Sequence, residues 1–137
     1  MEEEIIKISP DRERAKSIIS MAATREQILK NIDKKKFASF AVESYYEIIK
    51  ELITVVMLLD GFKTLSHKKL IEYIESNYKD KFKGSEIELM DKLRTTRNKI
   101  TYEGFFVEEH FLMRKESEIN DIIEKLRKIA RGKIGEN

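Results

Sequence analysis

Two arginines and an asparagine, Arg94, Arg97 and Asn98, stand close together in the segment R-T-T-R-N-K-I-T-Y-E-G, with Thr101 and Tyr102 just behind them. On a helix, positions three and four apart share a face, so Arg94, Asn98 and Tyr102 form one polar row and Arg97 and Thr101 the next. Guanidinium groups hold phosphate oxygens through paired N–H donors and a carboxamide adds a single donor, so an RNA backbone is one ligand this surface suits. Counting back from Ile100 in helical steps gives Arg97, Leu93 and Met90. That places Arg97 in an apolar seam, where a cation needs a partner or a cavity. Glu43 and Glu47, four apart on a mostly apolar stretch, are the acids with which a buried Arg97 would pair. The structural alternative for Arg97 and Asn98 is a network that satisfies the helix end or crosses a subunit interface.

Cleaving RNA without a metal requires one group to take a proton from a ribose hydroxyl and another to protonate the leaving oxygen, work suited to imidazole near neutrality. The chain has two histidines, His67 and His110. His67 follows Ser66 at a helix start and reads as a packing or locally hydrogen-bonded residue. His110 lies beyond Gly104, where it can fold back toward Arg97 within one chain or across a dimer. Tyr102 reads as a packed aromatic with its hydroxyl bonded, or, in an enzyme, as the proton-moving group. A phenol ordinarily ionises near pH 10, about 3 units too basic to act readily as a base at pH 7. The runs D-K-K-K-F and K-D-K-F-K read as solvated loops whose lysine–phenylalanine makeup also fits a weak nucleic-acid surface. Phe40, Tyr45 and Tyr46 are assigned to the core.

The elements that must position these residues are helices. Ser9-Pro10 with Asp11 predicts a helix start, with Ser9 as the cap and the helix continuing to about Ile32. Its stripe of Ala15, Ile18, Ile19, Ala22, Leu29 and Ile32 predicts a peripheral element packed on one side. From Lys36 to Asp60 apolar residues occupy two faces, which marks the central helix, and Gly61 is its left-handed stop. Such a helix must be covered on several sides, by the other helices and by a second copy of the chain. Ser66 predicts the cap of a short helix to about Tyr78. Ser85 and Glu88 form a capping-box pattern for a helix running to about Thr101. Y-E-G-F-F-V-E-E-H reads as an extended link, followed by a last helix to Ala130. Residues 1–8 and 131–137 are expected to fray. No strand-period alternation persists, so the expected fold is a single all-α domain spanning 1–137, a bundle of about five helices with an up-and-down antiparallel core.

Composition narrows the function classes. Of 137 residues, 27 are basic and 25 acidic, so a net charge of +2 neither implies nor excludes nucleic acid. There is no cysteine, which removes disulfides, thiolate nucleophiles and cysteine-based metal sites. No glycine-rich phosphate loop, H-E-x-x-H, EF-hand loop or G-x-S-x-G occurs, so no cofactor and no metal is expected. The longest apolar run, L-I-T-V-V-M-L-L, is far shorter than the roughly 20 residues a bilayer requires, and the start M-E-E-E-I-I-K is acidic where a signal peptide is basic. The expectation is a cytoplasmic protein with no membrane anchor.

The stretch F-A-S-F-A-V-E-S-Y-Y-E-I-I-K-E-L-I-T-V-V-M-L-L-D-G-F-K-T-L-S-H-K-K-L-I-E-Y-I, followed by L-R-T-T-R-N-K-I-T-Y-E-G-F-F-V, resembles the HEPN superfamily of small all-α domains over most of the chain. The resemblance implies a homodimer, in a toxin–antitoxin or defence setting or beside a nucleotidyltransferase. In active members an arginine, a polar residue and a following histidine form a metal-independent ribonuclease site across the dimer. Arg97 and Asn98 match the first two. Tyr102 stands where the histidine would follow Arg97, and Ile100 where it would follow Arg94. The resemblance therefore implies a degenerate site that binds RNA, an antitoxin or a nucleotidyltransferase. An active endoribonuclease using Tyr102 or His110 is the alternative, and a purely structural dimeric interaction module is the third reading.

Overall fold

The apolar stretch after Lys36 becomes the helix around which everything else is arranged. In the computed structural model, which describes residues 4–135, it forms α2 (Ala38–Asp60). More than half of its residues are buried, with Ala41, Tyr45, Ile48, Leu52 and Val55 along one side and Val42, Tyr46, Ile49, Ile53 and Met57 along another. A helix this apolar around its circumference leaves water only if neighbours cover it all round. The neighbours are α1 (Arg12–Leu29), α3 (His67–Asn77), α4 (Gly84–Glu103) and α5 (Glu109–Ile134). The expected all-α helical bundle of five helices is what forms, with a short 3-10 turn at Lys79–Lys81 between α3 and α4.

The helix ends follow local chemistry, with several corrections to the sequence reading. Asp11 rather than Ser9 caps α1, its carboxylate accepting from the Arg14 backbone N–H at 3.1 Å, and the helix stops at Leu29 instead of Ile32. Far from peripheral, α1 makes the most extensive of all helix pairings with α2. Small buried residues, Ala15 and Ala22, allow that close approach, and Arg25 reaches Glu51 of α2 at 3.0 Å. Ser66 caps α3 as expected, accepting from Lys69 N–H. Lys83, not Ser85, precedes the first residue of α4; the Glu86 carboxylate accepts from the Lys83 N–H at 2.8 Å and from Lys125 of α5 at 2.7 Å. A tertiary ion pair thus fixes the start of α4, which spacing alone could not reveal. Burial would raise the Glu86 carboxyl, but Lys125 and the Lys83 N–H outweigh it and hold it below the usual 4.5.

Neither expected frayed end is one over its described part; residues 1–3 and 136–137 lie outside the described residues. β1 (Ile6–Lys7) pairs antiparallel with β2 (Phe62–Lys63), with Ile6 opposite Lys63 and Lys7 opposite Phe62. A two-residue ladder is too short to leave a period-2 pattern, so the expectation of no strands missed it. Gly61 makes the turn at φ +89°, and the Ile8 N–H donates to its carbonyl at 2.8 Å. A Cβ at Gly61 would lie 3.1 Å from the Ile8 carbonyl oxygen, so both conformation and space favour glycine. At the other end α5 continues past Ala130 to Ile134, whose side chain is buried and whose carbonyl accepts from the Arg12 guanidinium.

One polar knot ties the C-terminal end of α2 to α3 and α5. Asp60 accepts from the hydroxyls of Tyr73 and Tyr78 at 2.5 and 2.7 Å and faces the Lys133 ammonium at 2.5 Å. Burial alone would raise the Asp60 carboxyl; Lys133 and the two hydroxyls outweigh it and hold it below 3.8. A depressed carboxyl stabilises the fold above its unfolded pKa, and the contribution is lost as pH falls through the folded value. Asp60→Ala should therefore lower stability at pH 7 by about 2 kcal/mol, roughly 6 °C in Tm. Thermal melts from pH 7 down to pH 2 should show the gap between the variant and the unmodified protein closing in the acid range. A gap that stays constant with pH would show that the charge of Asp60 contributes nothing.

Candidate functional site

The polar face of α4 is shaped by where that helix turns out of the core. Leu89, Met90, Leu93 and Thr96 are buried, so Thr96 rather than Arg97 occupies the seam position, and Arg97 stands half-buried at its edge. The cation needs no buried partner because it is not in the seam. Neither Glu43 nor Glu47 pairs with it. Glu43 accepts from the Thr101 hydroxyl at 3.0 Å, and Glu47 lies beside Lys50, whose ammonium is 2.9 Å from its Oε2 and donates toward Oε1 at 3.2 Å. The Arg97 guanidinium instead touches its helix neighbour, donating to Asn98 Oδ1 at 3.3 Å. Among the described residues no carboxylate lies within ion-pair distance of Arg97. Arg94 is held by Asp91 one turn back at 2.8 Å.

The expected site residues do not all come together. Tyr102 is three-quarters exposed, so it is not a packed aromatic. His110 is exposed on the first turn of α5, and among the described residues no hydrogen bond or ion pair connects it with Arg97. Phe40, assigned to the core, is half exposed, because it lies on the first turn of α2. Gly104 ends α4 in the left-handed conformation at φ +66°, and the link beyond it is pinned to α2 where Val107 N–H donates to Ser39 Oγ at 2.9 Å. Phe106 is largely exposed, while Lys99 and Lys36 place their ammoniums over the rings of Phe105 and Phe37 at 5.7 and 5.4 Å.

His67, read from sequence as a local packing residue, is the imidazole that the fold delivers to this face. It opens α3, half-buried, with its ring 5.8 Å from the ring of Tyr46 on α2. Burial lowers its pKa below 6.5, and the positive charges of Lys50, Arg97 and Arg94 lower it further, against a smaller opposing effect of Glu47. Tyr46 is moved the other way by burial, which raises it, with Arg94 and Arg97 opposing. Tyr46, Glu47 and Lys50 of α2, His67 of α3, and Arg94 and Arg97 of α4 thus lie within electrostatic reach of one another. Sequence spacing could not find His67 or Lys50, since neither shares a helix with the arginines. Among the described residues no three His, Cys, Asp or Glu side chains group as metal ligands, and no helix is long and apolar enough to cross a membrane.

No protein-family model, no curated protein and no solved structure matches the chain.

An arginine that supports the fold and one displayed for a ligand respond differently to removal. Arg97→Ala breaks no ion pair among the described residues, so Tm should stay within about 2 °C of the unmodified protein. A loss of more than about 5 °C in a thermal melt would assign Arg97 to the structure instead.

Proposed function

We propose that this chain is a HEPN-like helical domain that binds the phosphate backbone of RNA on the face formed by Arg94, Arg97, Asn98 and Thr101. The observation that carries this reading is the Arg97 guanidinium, half-buried and claimed by no carboxylate among the described residues, beside an asparagine whose amide N–H groups remain available as donors. A bidentate donor held at the edge of a rigid helix is pre-oriented for a phosphate oxygen pair. Lys50 and Arg94 stand nearby, paired with Glu47 and Asp91 respectively. A homodimer, and a nucleotidyltransferase or antitoxin as protein partner, belong to the same proposal; the surface left for such a partner is the aromatic end with Tyr102, Phe105 and Phe106. Tyr102, at the position of the missing motif histidine, is three-quarters exposed.

A second reading, a metal-independent endoribonuclease, is favoured by one specific observation, the placement of the His67 imidazole within the field of Arg94 and Arg97.

Fluorescence anisotropy with a labelled single-stranded RNA of mixed sequence, in EDTA, tests the binding reading. The unmodified protein should bind, with log Kd rising linearly with log salt at a slope of about 0.7 per phosphate neutralised. Arg97→Ala should weaken binding about tenfold or more at low salt. No binding at low salt, or equal binding by Arg97→Ala, would reject the site.

A further inference from the structure

We infer that the cavity between the β1–β2 ribbon and helices α1, α2 and α3 binds a medium-chain fatty acid, its chain inside and its carboxylate at the edge. The cavity measures about 610 Å3, within the range that small-molecule sites occupy. No residue of α4 lines it, so the arginine face is not part of it. Its inner side is apolar, formed by Met57 and Leu58 of α2 and Leu70 of α3, all three buried. Ile6 of β1 and Leu65 of the loop before α3 line its outer part.

Leu65 carries the apolar half of the inference. At 92% exposure it is the most solvent-exposed large apolar side chain among the described residues. Its loop is nevertheless held in place: Thr64 Oγ1 accepts from the Ser66 N–H at 3.2 Å, and Ser66 in turn caps α3. Leu65 is therefore presented at the cavity edge by a fixed turn, and Ile6, half exposed, stands on the β-ribbon beside the same cavity. An alkyl chain lying there would take both side chains out of water, and each of its own methylenes buried against Met57, Leu58 and Leu70 would add to affinity.

The charged groups select an anion for the head. Arg14, in the first turn of α1, and Lys63 of β2 both line the cavity, and among the described residues neither side chain enters an ion pair. Glu4 is the one acid in the lining, so two cations stand against it. The Thr64 hydroxyl accepts from Ser66 and keeps its own proton to donate, whereas the Thr54 hydroxyl already donates to the Lys50 carbonyl at 2.8 Å. A carboxylate, ionised at pH 7, accepts from a guanidinium fork, an ammonium and a hydroxyl at once. A sugar or nucleotide would instead press polar groups against the apolar inner side, at a desolvation cost that nothing there offsets. An acid head on an alkyl chain matches both halves.

The test is calorimetric titration of the full-length protein with octanoate and, separately, with octanol, each below the concentration at which it aggregates. The proteins are the unmodified chain, the double variant Arg14→Gln/Lys63→Gln and Leu65→Ser, each checked by a thermal melt. Octanoate should bind the unmodified protein once per chain with a Kd of about 1 mM or below, and octanol at least about fivefold more weakly. The double variant should erase that difference by weakening octanoate alone. Leu65→Ser should weaken both ligands about threefold or more. Absence of saturable octanoate binding, octanol binding as tight as octanoate, or octanoate binding unchanged in the double variant overturns the site. Dimerisation abolished by Leu65→Ser, without octanoate binding, assigns the cavity edge to a second copy of the chain and overturns it as well. If the double variant does not fold, nuclear Overhauser contacts between the octanoate chain and the methyls of Leu58, Leu65 and Leu70 in the unmodified protein decide. Their presence supports the site, and their absence at saturating octanoate overturns it.

Discussion

Burial of α2 around most of its circumference is the constraint from which the rest of the structure follows. A helix with apolar residues on one stripe needs one neighbour; α2 has them around most of its circumference, so four helices must enclose it. Where the enclosure is complete, as at Ile48, Ile49, Leu52 and Val55, there is no room for charge. Where it opens, polar residues of α2 come to face polar residues of its neighbours. Glu43 meets Thr101, and Glu47 and Lys50 come to the place where α3 begins and α4 carries its arginines. The site is therefore a consequence of how far the cover over α2 extends, and each of its residues comes from an element whose primary task is to exclude water.

The ionic residues divide into two kinds that differ in what they contribute. Glu86 with Lys125 and the Lys83 N–H, Glu116 with Tyr45 and Lys34, and Asp60 with its two tyrosines and Lys133 are each satisfied by more than one partner. In each, hydrogen bonds and opposite charge outweigh the cost of burial and hold the carboxyl below its ordinary pKa. These knots fix how α3, α4 and α5 lie on α2. Arg97 belongs to the other kind: its one side-chain hydrogen bond among the described residues is a long one to its own helix neighbour. Among the described residues no carboxylate pairs with its charge.

The helices were legible because periodicity and punctuation agreed. The two-faced apolar pattern from Phe37 to Leu59 announced the central helix, and Gly61 ended it where the left-handed turn is found. The missed features are those in which a distant residue decides a local one. Lys125 selects Glu86 as the partner of the α4 start, Ile8 makes Gly61 a packing residue as well as a stop, and Arg12 and Lys133 hold the end of α5 in place. Within the site, spacing along α4 correctly put Arg94 and Asn98 together with Arg97, but it misplaced the seam by one residue. Thr96 and Arg97 are both one helical step beyond Leu93, and only the packing of α4 on its neighbours decides which of the two turns inward.

Tyr102 and His67 show how far position along a chain and position in space can part. A linear motif says which residue follows an arginine by a given number of places; it does not say which imidazole shares its electrostatic field. Tyr102 holds the motif position and is left largely to solvent, while His67 lies on another helix among the same cations. A histidine kept only for packing gains stability from a nearby acid, which raises its pKa and adds an ion pair. Here burial and three positive charges outweigh the single carboxylate of Glu47, so the protonated form is the one the surroundings disfavour. That balance contributes no ion pair to the fold. An imidazole whose charged form its surroundings disfavour and an arginine that pairs with no carboxylate among the described residues are thus two groups that the fold leaves outside its ion pairs.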